Sequence, residues 1–307
     1  MPLTLDDNDP NVIAARNAEK QLFDYYGIQA KDHYVPLPGQ GIRVRVSEIG
    51  GGEPLVIIPG NTGDVFPLTS LLAELKCRRI LAINRPGGGL SDGMDHNTVV
   101  IRRFAVETLE TVLKAFKLDN ADMVAHSMGA HWSLWLAMDR PQYVRSLTLL
   151  GNPGNVMRGK PPLLMRLIGK PPLSRLFFKL LIPANKNKAL RSLRVMGHGH
   201  KTLKKLPKAL GDSYYYFRLL PHYQVSALSL LENAAPEIGV QQLQLVKQPV
   251  LFLLGTKDRF ASVMTGHNIA AAPPRCEFHI IEGAGHLPWL ESPVACANLI
   301  NQFLATV

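Results

Sequence analysis

With 307 residues, 46% of them hydrophobic and 19% charged, the chain can hold one large α/β domain or two ordinary ones and bury a core, which excludes a disordered protein. No apolar run reaches the roughly 18 residues of a spanning helix, and the opening "MPLTLDDNDPNVIAARNAEK" lacks the basic and apolar stretches of a secretory leader, so a soluble cytoplasmic protein is expected. The net charge of +10 is unevenly placed: residues 140–211 hold 16 of the 34 Lys and Arg and none of the 24 Asp and Glu, so the rest of the chain is net acidic.

A helix is predicted over about Asn11–Tyr26, followed by two short strands in "HYVPLPGQGIRVRVSEIGGGE" joined at Gly39–Gly41. "PLVIIPG" reads as a compact strand, "DVFPLTSLLAELK" has helical spacing, and "RRILAINRPG" reads as the next strand. A helix in "TVVIRRFAVETLETVLKAFKL" leads to strand "ADMVAHS", helix "MGAHWSLWLAMD" and strand "RSLTLLGNP". From Gly154 to about Asn233 the alternation gives way to Pro-punctuated, Leu-rich, basic sequence. It resumes with "QPVLFLLGTKD", "VMTGHNIAAAP", "CEFHIIEGAGH" and "PVACANLINQFLAT". Apolar strands without clean period-two alternation, each followed by a helix, predict a mainly parallel sheet covered on both faces, with the middle segment inserted into it. Cys77, Cys276 and Cys296 show no metal-ligand spacing and read as small core hydrophobes in a reducing compartment.

Ser127 stands where "MVAHS" ends and "MGAHWSL" begins. A tight strand-to-helix turn there carries the hydroxyl to the carboxyl edge of the sheet, where open α/β sheets bind ligands. Gly129 gives such a turn room, and Ala125 stands where the usual nucleophile elbow has glycine. Read alone, the pentapeptide also fits a helix N-cap serine. A nucleophilic serine needs a base, and the base needs an orienting acid. Asp258 follows a strand in "GTKD" and His286 follows the last strand in "EGAGHLPWLESP", so Ser, Asp and His occur in that order, each at the carboxyl end of a strand.

Four blocks, "VIIPGN", "NRPGGGLSDG", "AHSMGAHWSL" and the paired "GTKD" and "GAGHLPWLESP", resemble the α/β-hydrolase family with an inserted cap, over about residues 32–305. The resemblance implies an α/β-hydrolase fold: a mostly parallel central sheet with helices on both faces and a helical cap insertion. It divides the chain into an N-terminal helical extension (1–31), a core (32–153 and 234–307) and a basic helical cap (154–233). It implies Ser127 as nucleophile, Asp258 as acid and His286 as base. Acyl transfer also needs donors for the oxyanion. The Met128 amide, at a helix N-terminus, is one candidate, and the backbone N–H of Asn61 matches the position of the other. The family usually has His–Gly before that residue, whereas this chain has Pro59–Gly60. Gly87 to Gly89 read as a structural corner that permits positive φ, and His126 and His131 as packing residues beside the nucleophile.

A serine at the elbow differs from the aspartate of the resembling haloalkane dehalogenases and epoxide hydrolases and leaves water-mediated cleavage of an ester, thioester, amide or activated C–C bond through an acyl-enzyme. The sequence has no HExxH, EF-hand or Walker pattern, so neither metal nor nucleotide cofactor is expected. The expectation is a carboxylesterase or lipase-like serine hydrolase acting on a small-molecule acyl ester. The alternatives are a C–C bond hydrolase for an anionic dienoate-type substrate and a non-hydrolytic small-ligand receptor. The basic residues of 154–233 alternate with Leu, Phe, Ile and Met. That pattern fits contact with an anionic lipid surface, attraction of anionic substrates, or a solvated face over an apolar packing side. Nucleic acid is disfavoured, since no recognised fold or aromatic stacking pattern accompanies the charge. "SYYYFRLLPHY" (213–223) fits either pocket lining or packing of the cap on the core.

Overall fold

Asp9 accepts a hydrogen bond from the Asn11 N–H and Pro10 takes the first helical position, so the chain's opening helix, α1 (Pro10–Tyr25), starts where a cap and a fixed φ favour it. The computed structural model of the protein describes residues 3–76, 78–157, 185–233 and 235–307. Strands β1 (Ala30–Leu37) and β2 (Ile42–Gly50), the two strands expected on either side of Gly39–Gly41, pair antiparallel. After β3 (Glu53–Ile58) and β4 (Arg78–Ile83) come α2 (Ile101–Ala115), β5 (Ala121–His126), α3 (Met128–Asp139) and β6 (Val144–Leu150). The inserted segment contributes α4 (Lys208–Tyr216), α5 (Tyr223–Glu232) and shorter helical turns. The chain then closes with β7 (Val250–Gly255), α6 (Val263–Ala270), β8 (Cys276–Ile281) and α7 (Pro293–Leu304).

The eight strands make one sheet in the order β1-β2-β4-β3-β5-β6-β7-β8. The β1–β2 and β2–β4 pairs are antiparallel, and every pair from β4 to β8 is parallel. Successive strand residues point to opposite faces, and here both faces are apolar. Leu55 and Ile57 of β3 join a cluster with α1, α7 and the inserted segment, while Val56 and Ile58 join one with α2, α3 and α6. The doubled apolar burial is why these strands read as continuous apolar runs.

One predicted helix is shorter than its spacing suggests. In "DVFPLTSLLAELK" only a 3₁₀ turn (Phe66–Leu68) and one α-turn (Thr69–Leu72) form. Every residue from Gly63 to Thr69 is buried, so the segment has no solvated face for a longer amphipathic helix. The Pro67 carbonyl instead accepts the Trp289 indole N–H at 2.8 Å.

Among the described residues of the inserted segment, Leu193, Leu210, Tyr214 and Phe217 join the apolar cluster on the sheet face that α1 covers. Phe66 meets Tyr214 at 4.9 Å and Phe217 at 4.7 Å between ring centroids, so part of the aromatic run packs the segment onto the core. Helix α1 shares this cluster and is tied to the sheet by Arg45, which lies 2.6 Å from the buried Glu19 and 2.9 Å from Asp32 at the surface. Cys296 is buried in α7 and Cys276 half-buried at the sheet's edge. Cys77 and residues 158–184, with their proline pairs, lie outside the described residues. Among the described residues no helix is long and apolar enough to cross a membrane.

Candidate active site

Strand β5 is buried along its whole length and ends at His126; Ser127 is the single residue between it and α3. It holds φ 50° and ψ −116°, a conformation that non-glycine residues rarely adopt and that costs energy. The turn is this sharp because the α3 backbone runs against the end of β3. A Cβ on Gly129 would lie 2.3 Å from the Pro59 carbonyl oxygen and 2.4 Å from that of Ile58, so only glycine fits there. Ala125 is fully buried in the apolar cluster beneath α3, and the elbow accommodates its methyl.

Asp258 stands three residues past β7. Its Oδ2 accepts hydrogen bonds from the His286 ring at Nδ1 (2.8 Å) and from the Asn152 N–H (3.0 Å), and its Oδ1 accepts from the Phe260 N–H (2.8 Å). Burial alone would raise the carboxyl pKa. The His286 ring, through charge and hydrogen bond, together with the Phe260 and Asn152 amides, outweighs burial and holds Asp258 below the usual carboxylate range. An ionised Asp258 fixes the proton of a neutral His286 on Nδ1 and leaves the lone pair on Nε2. The imidazole sits beside Phe260 (4.2 Å between ring centroids) and His126 (4.7 Å).

Ser127, Met128, Asn61 and His286 all line one cavity of about 490 Å³. Most of its wall is apolar, from Leu68, Met196, Leu230, Phe260, Leu287 and Trp289; Asp64, Tyr214 and Arg218 supply polar groups. The structure thus brings the five sequence-derived site residues together, with Asp258 bonded behind His286. The Asp258–His286 hydrogen bond is formed, while the Ser127 hydroxyl makes none among the described residues. His126 is not available as a base. Burial, reinforced by the nearby His286, depresses its pKa well below the ordinary value, and its ring is wedged against Trp289 and the Gly60 backbone with Nε2 3.2 Å from the His286 carbonyl oxygen. His131, held near 4 by burial, packs on Trp135.

The loop that carries Asn61 has a support that the sequence reading passes over as a corner. Buried Arg85 donates from Nε to the Pro59 carbonyl (3.0 Å) and from Nη2 to the carbonyls of Gly60 and Asn61 (3.0 Å for the latter), and its guanidinium lies 4.6 Å above the Trp132 ring. Asn84 accepts the Val65 N–H at 3.0 Å, and Asp64 accepts that of Gly89 at 2.6 Å. The glycine corner, with φ 78° at Gly87 and 55° at Gly89, thus closes on the Asn61 loop. With Pro59–Gly60 ahead of Asn61, the loop is fastened in this chain through Arg85. Burial lowers Arg85 to about 9, against the attraction of Asp64, and it stays cationic at neutral pH.

Burial also pushes Asp64 up to about 7, despite the Thr62 hydroxyl and Gly89 amide that favour its charge. An acid whose folded pKa lies above its unfolded value of about 4 binds more protons when folded across that interval. Its contribution to stability is therefore greatest below pH 4, falls as pH rises from about 4 to about 7, and is flat above. The Asp64→Asn variant should lack that decline and unfold at a higher temperature than wild type at pH 8; thermal melts from pH 4 to 8 check this.

The sequence profile of the alpha/beta hydrolase fold family matches residues 53–293. The chain belongs to the α/β-hydrolase family. This α/β-hydrolase is 24% identical to a proline iminopeptidase from Heyndrickxia coagulans over 283 residues, covering 86% of this chain and 94% of the relative. It is 26% identical to a 2-hydroxymuconate semialdehyde hydrolase from Pseudomonas sp. (strain CF600) over 278 residues, covering 86% and 91%. Among solved structures, a carboxylesterase from Bacillus subtilis superposes with a TM-score of 0.76 at 16% identity, covering 97% of this chain and 99% of that one. That last likeness speaks for the fold of this α/β-hydrolase.

Proposed function

We propose that the protein is a serine hydrolase that cleaves carboxylic esters through an acyl-enzyme intermediate. The observation that carries this reading is the Asp258–His286 hydrogen bond at the edge of a mainly apolar cavity that the strained Ser127 also lines. Ser127 Oγ adds to the ester carbonyl while His286 Nε2 takes its proton, and Asp258 stabilises the imidazolium. The amides of Asn61 and Met128 receive the oxyanion. Collapse of the tetrahedral adduct breaks the C–O bond, and His286 returns the proton to the departing alkoxide, releasing the alcohol. Water, deprotonated by His286, then attacks the acyl-enzyme; the second adduct releases the acid, and Ser127 recovers its proton. No cofactor enters this sequence.

In this reading residues 154–233 form the cap and 1–31 an extension that braces it. The exposed Lys188, Arg191, Lys201, Lys204, Lys205 and Lys208 favour anionic substrates or an anionic lipid surface as company for the site. Arg218 on the cavity wall supports a second reading, a C–C bond hydrolase for an anionic dienoate-type substrate. Two measurements separate the readings. A fluorophosphonate probe should label Ser127, and its failure to do so would favour a non-hydrolytic receptor. Turnover of p-nitrophenyl esters of increasing chain length should exceed turnover of a dienoate, and the reverse ranking would install the second reading.

A further inference from the structure

The motif "RVMGHGH" (194–200) in the inserted segment holds two histidines, and only His198 is fully buried, its side chain 0% exposed. A helical turn (Ser192–Val195) ends there in a reversal: the His198 N–H returns to the Leu193 carbonyl at 3.1 Å, and Gly197 takes φ 98°. The reversal is wedged against the two turns that carry Asp258 and His286. A Cβ on Gly197 would lie 1.9 Å from the Lys257 carbonyl oxygen, and one on Gly285 would lie 2.8 Å from the His198 ring.

Three consecutive amides around His286 are held at this wedge. The Gly285 N–H donates to Glu291 (3.4 Å), the His286 N–H to the Met196 carbonyl (2.9 Å), and the Leu287 N–H to His198 Nε2 (3.2 Å). An amide can only donate, so Nε2 of His198 must present its lone pair, and the ring's proton sits on Nδ1. That proton faces Glu291, whose carboxylate oxygens lie 2.9 and 3.0 Å away. The ring is a two-ended strut in one tautomer, joining the inserted segment to the Leu287 amide at one end and to the Glu291 carboxylate at the other.

We propose that His198 is a positioning residue for His286: through the Leu287 amide it makes the base's placement depend on how the inserted segment seats. The inference rests on His286 being the base. A loosened Leu287 amide lets the imidazole drift from the line between Asp258 and Ser127, and proton transfer is sensitive to such displacement. Substrate binding to the apolar wall is not.

Two near-isosteric variants separate the ends of the strut. In His198→Gln the side-chain oxygen lies near the position of Nε2 and can accept from Leu287. His198→Asn keeps a donor toward Glu291 but does not reach Leu287. With p-nitrophenyl butyrate, H198N should lower kcat about tenfold or more with KM within about twofold, and H198Q should recover most of the loss. Amide hydrogen exchange at His286 and Leu287 should be faster in H198N than in H198Q, with melting temperatures of the two variants within a few degrees. Equal kcat in the two variants, or equal exchange at those amides, would overturn the proposal. Failure of the wild-type protein to hydrolyse esters or to be labelled would instead count against the proposed function, and the exchange comparison still decides the strut.

Discussion

Replacing Ser127 by alanine is expected to lower kcat/KM for p-nitrophenyl butyrate roughly a thousandfold or more, while the protein still folds. The hydroxyl makes no hydrogen bond among the described residues, so its removal leaves no buried group unpaired, and alanine keeps the Cβ that the elbow already tolerates. Ser127→Gly should be equally inactive yet more stable than Ser127→Ala by about 1 kcal/mol, because φ 50° burdens any residue with a Cβ. The pair of variants divides chemistry from strain. Unchanged turnover in Ser127→Ala would remove the nucleophile from the proposal.

The other large effect is expected at Arg85. Methionine there fills much of the volume but leaves the carbonyls of Pro59, Gly60 and Asn61 without the guanidinium. A stranded buried carbonyl costs about 1–3 kcal/mol; that of Gly60 keeps the Gly63 N–H and that of Asn61 is half-buried, so the Pro59 carbonyl bears most of the cost, partly offset because a desolvated cation also disappears. A net loss of about 1–2 kcal/mol in unfolding free energy should result, measured by urea denaturation. Arg85→Lys keeps the charge but cannot spread three carbonyl contacts over a rigid fork, and it should lower kcat more than it raises KM. If Arg85→Lys turned over like wild type, the loop would be holding Asn61 by other means.

What the sequence reveals divides by distance along the chain. The strand-end placement of Ser127, Asp258 and His286 is legible because each follows an apolar run within a few residues, and the turn residues sit beside it. The β1–β2 hairpin and α1 are legible for the same reason, their cap and turn signals being local. The Arg85 clamp is not, because its acceptors lie 24 to 26 residues away and meet it only once β3 and β4 pair in parallel. His198 and Leu287 are 89 residues apart, and "GHGH" has no local pattern that tells a strut from a solvated pair. The truncated helix at 69–72 fails differently: spacing predicts an exposed face that tertiary burial removes.

Helix α1 carries a consequence for how the molecule comes apart. It shares an apolar cluster with α4 of the inserted segment and is bound to β1 and β2 through the buried Glu19–Arg45 pair and the exposed Asp32 beside it. Around Gly197 and His198 the same segment grips the turns after β7 and β8. A segment whose described helices are fastened at two places cannot release them while the sheet stays intact, because doing so strands ions and apolar surface together. Its described helices therefore belong to the same cooperative unit as the strands, and their slowest amide protons should exchange only when the whole protein unfolds.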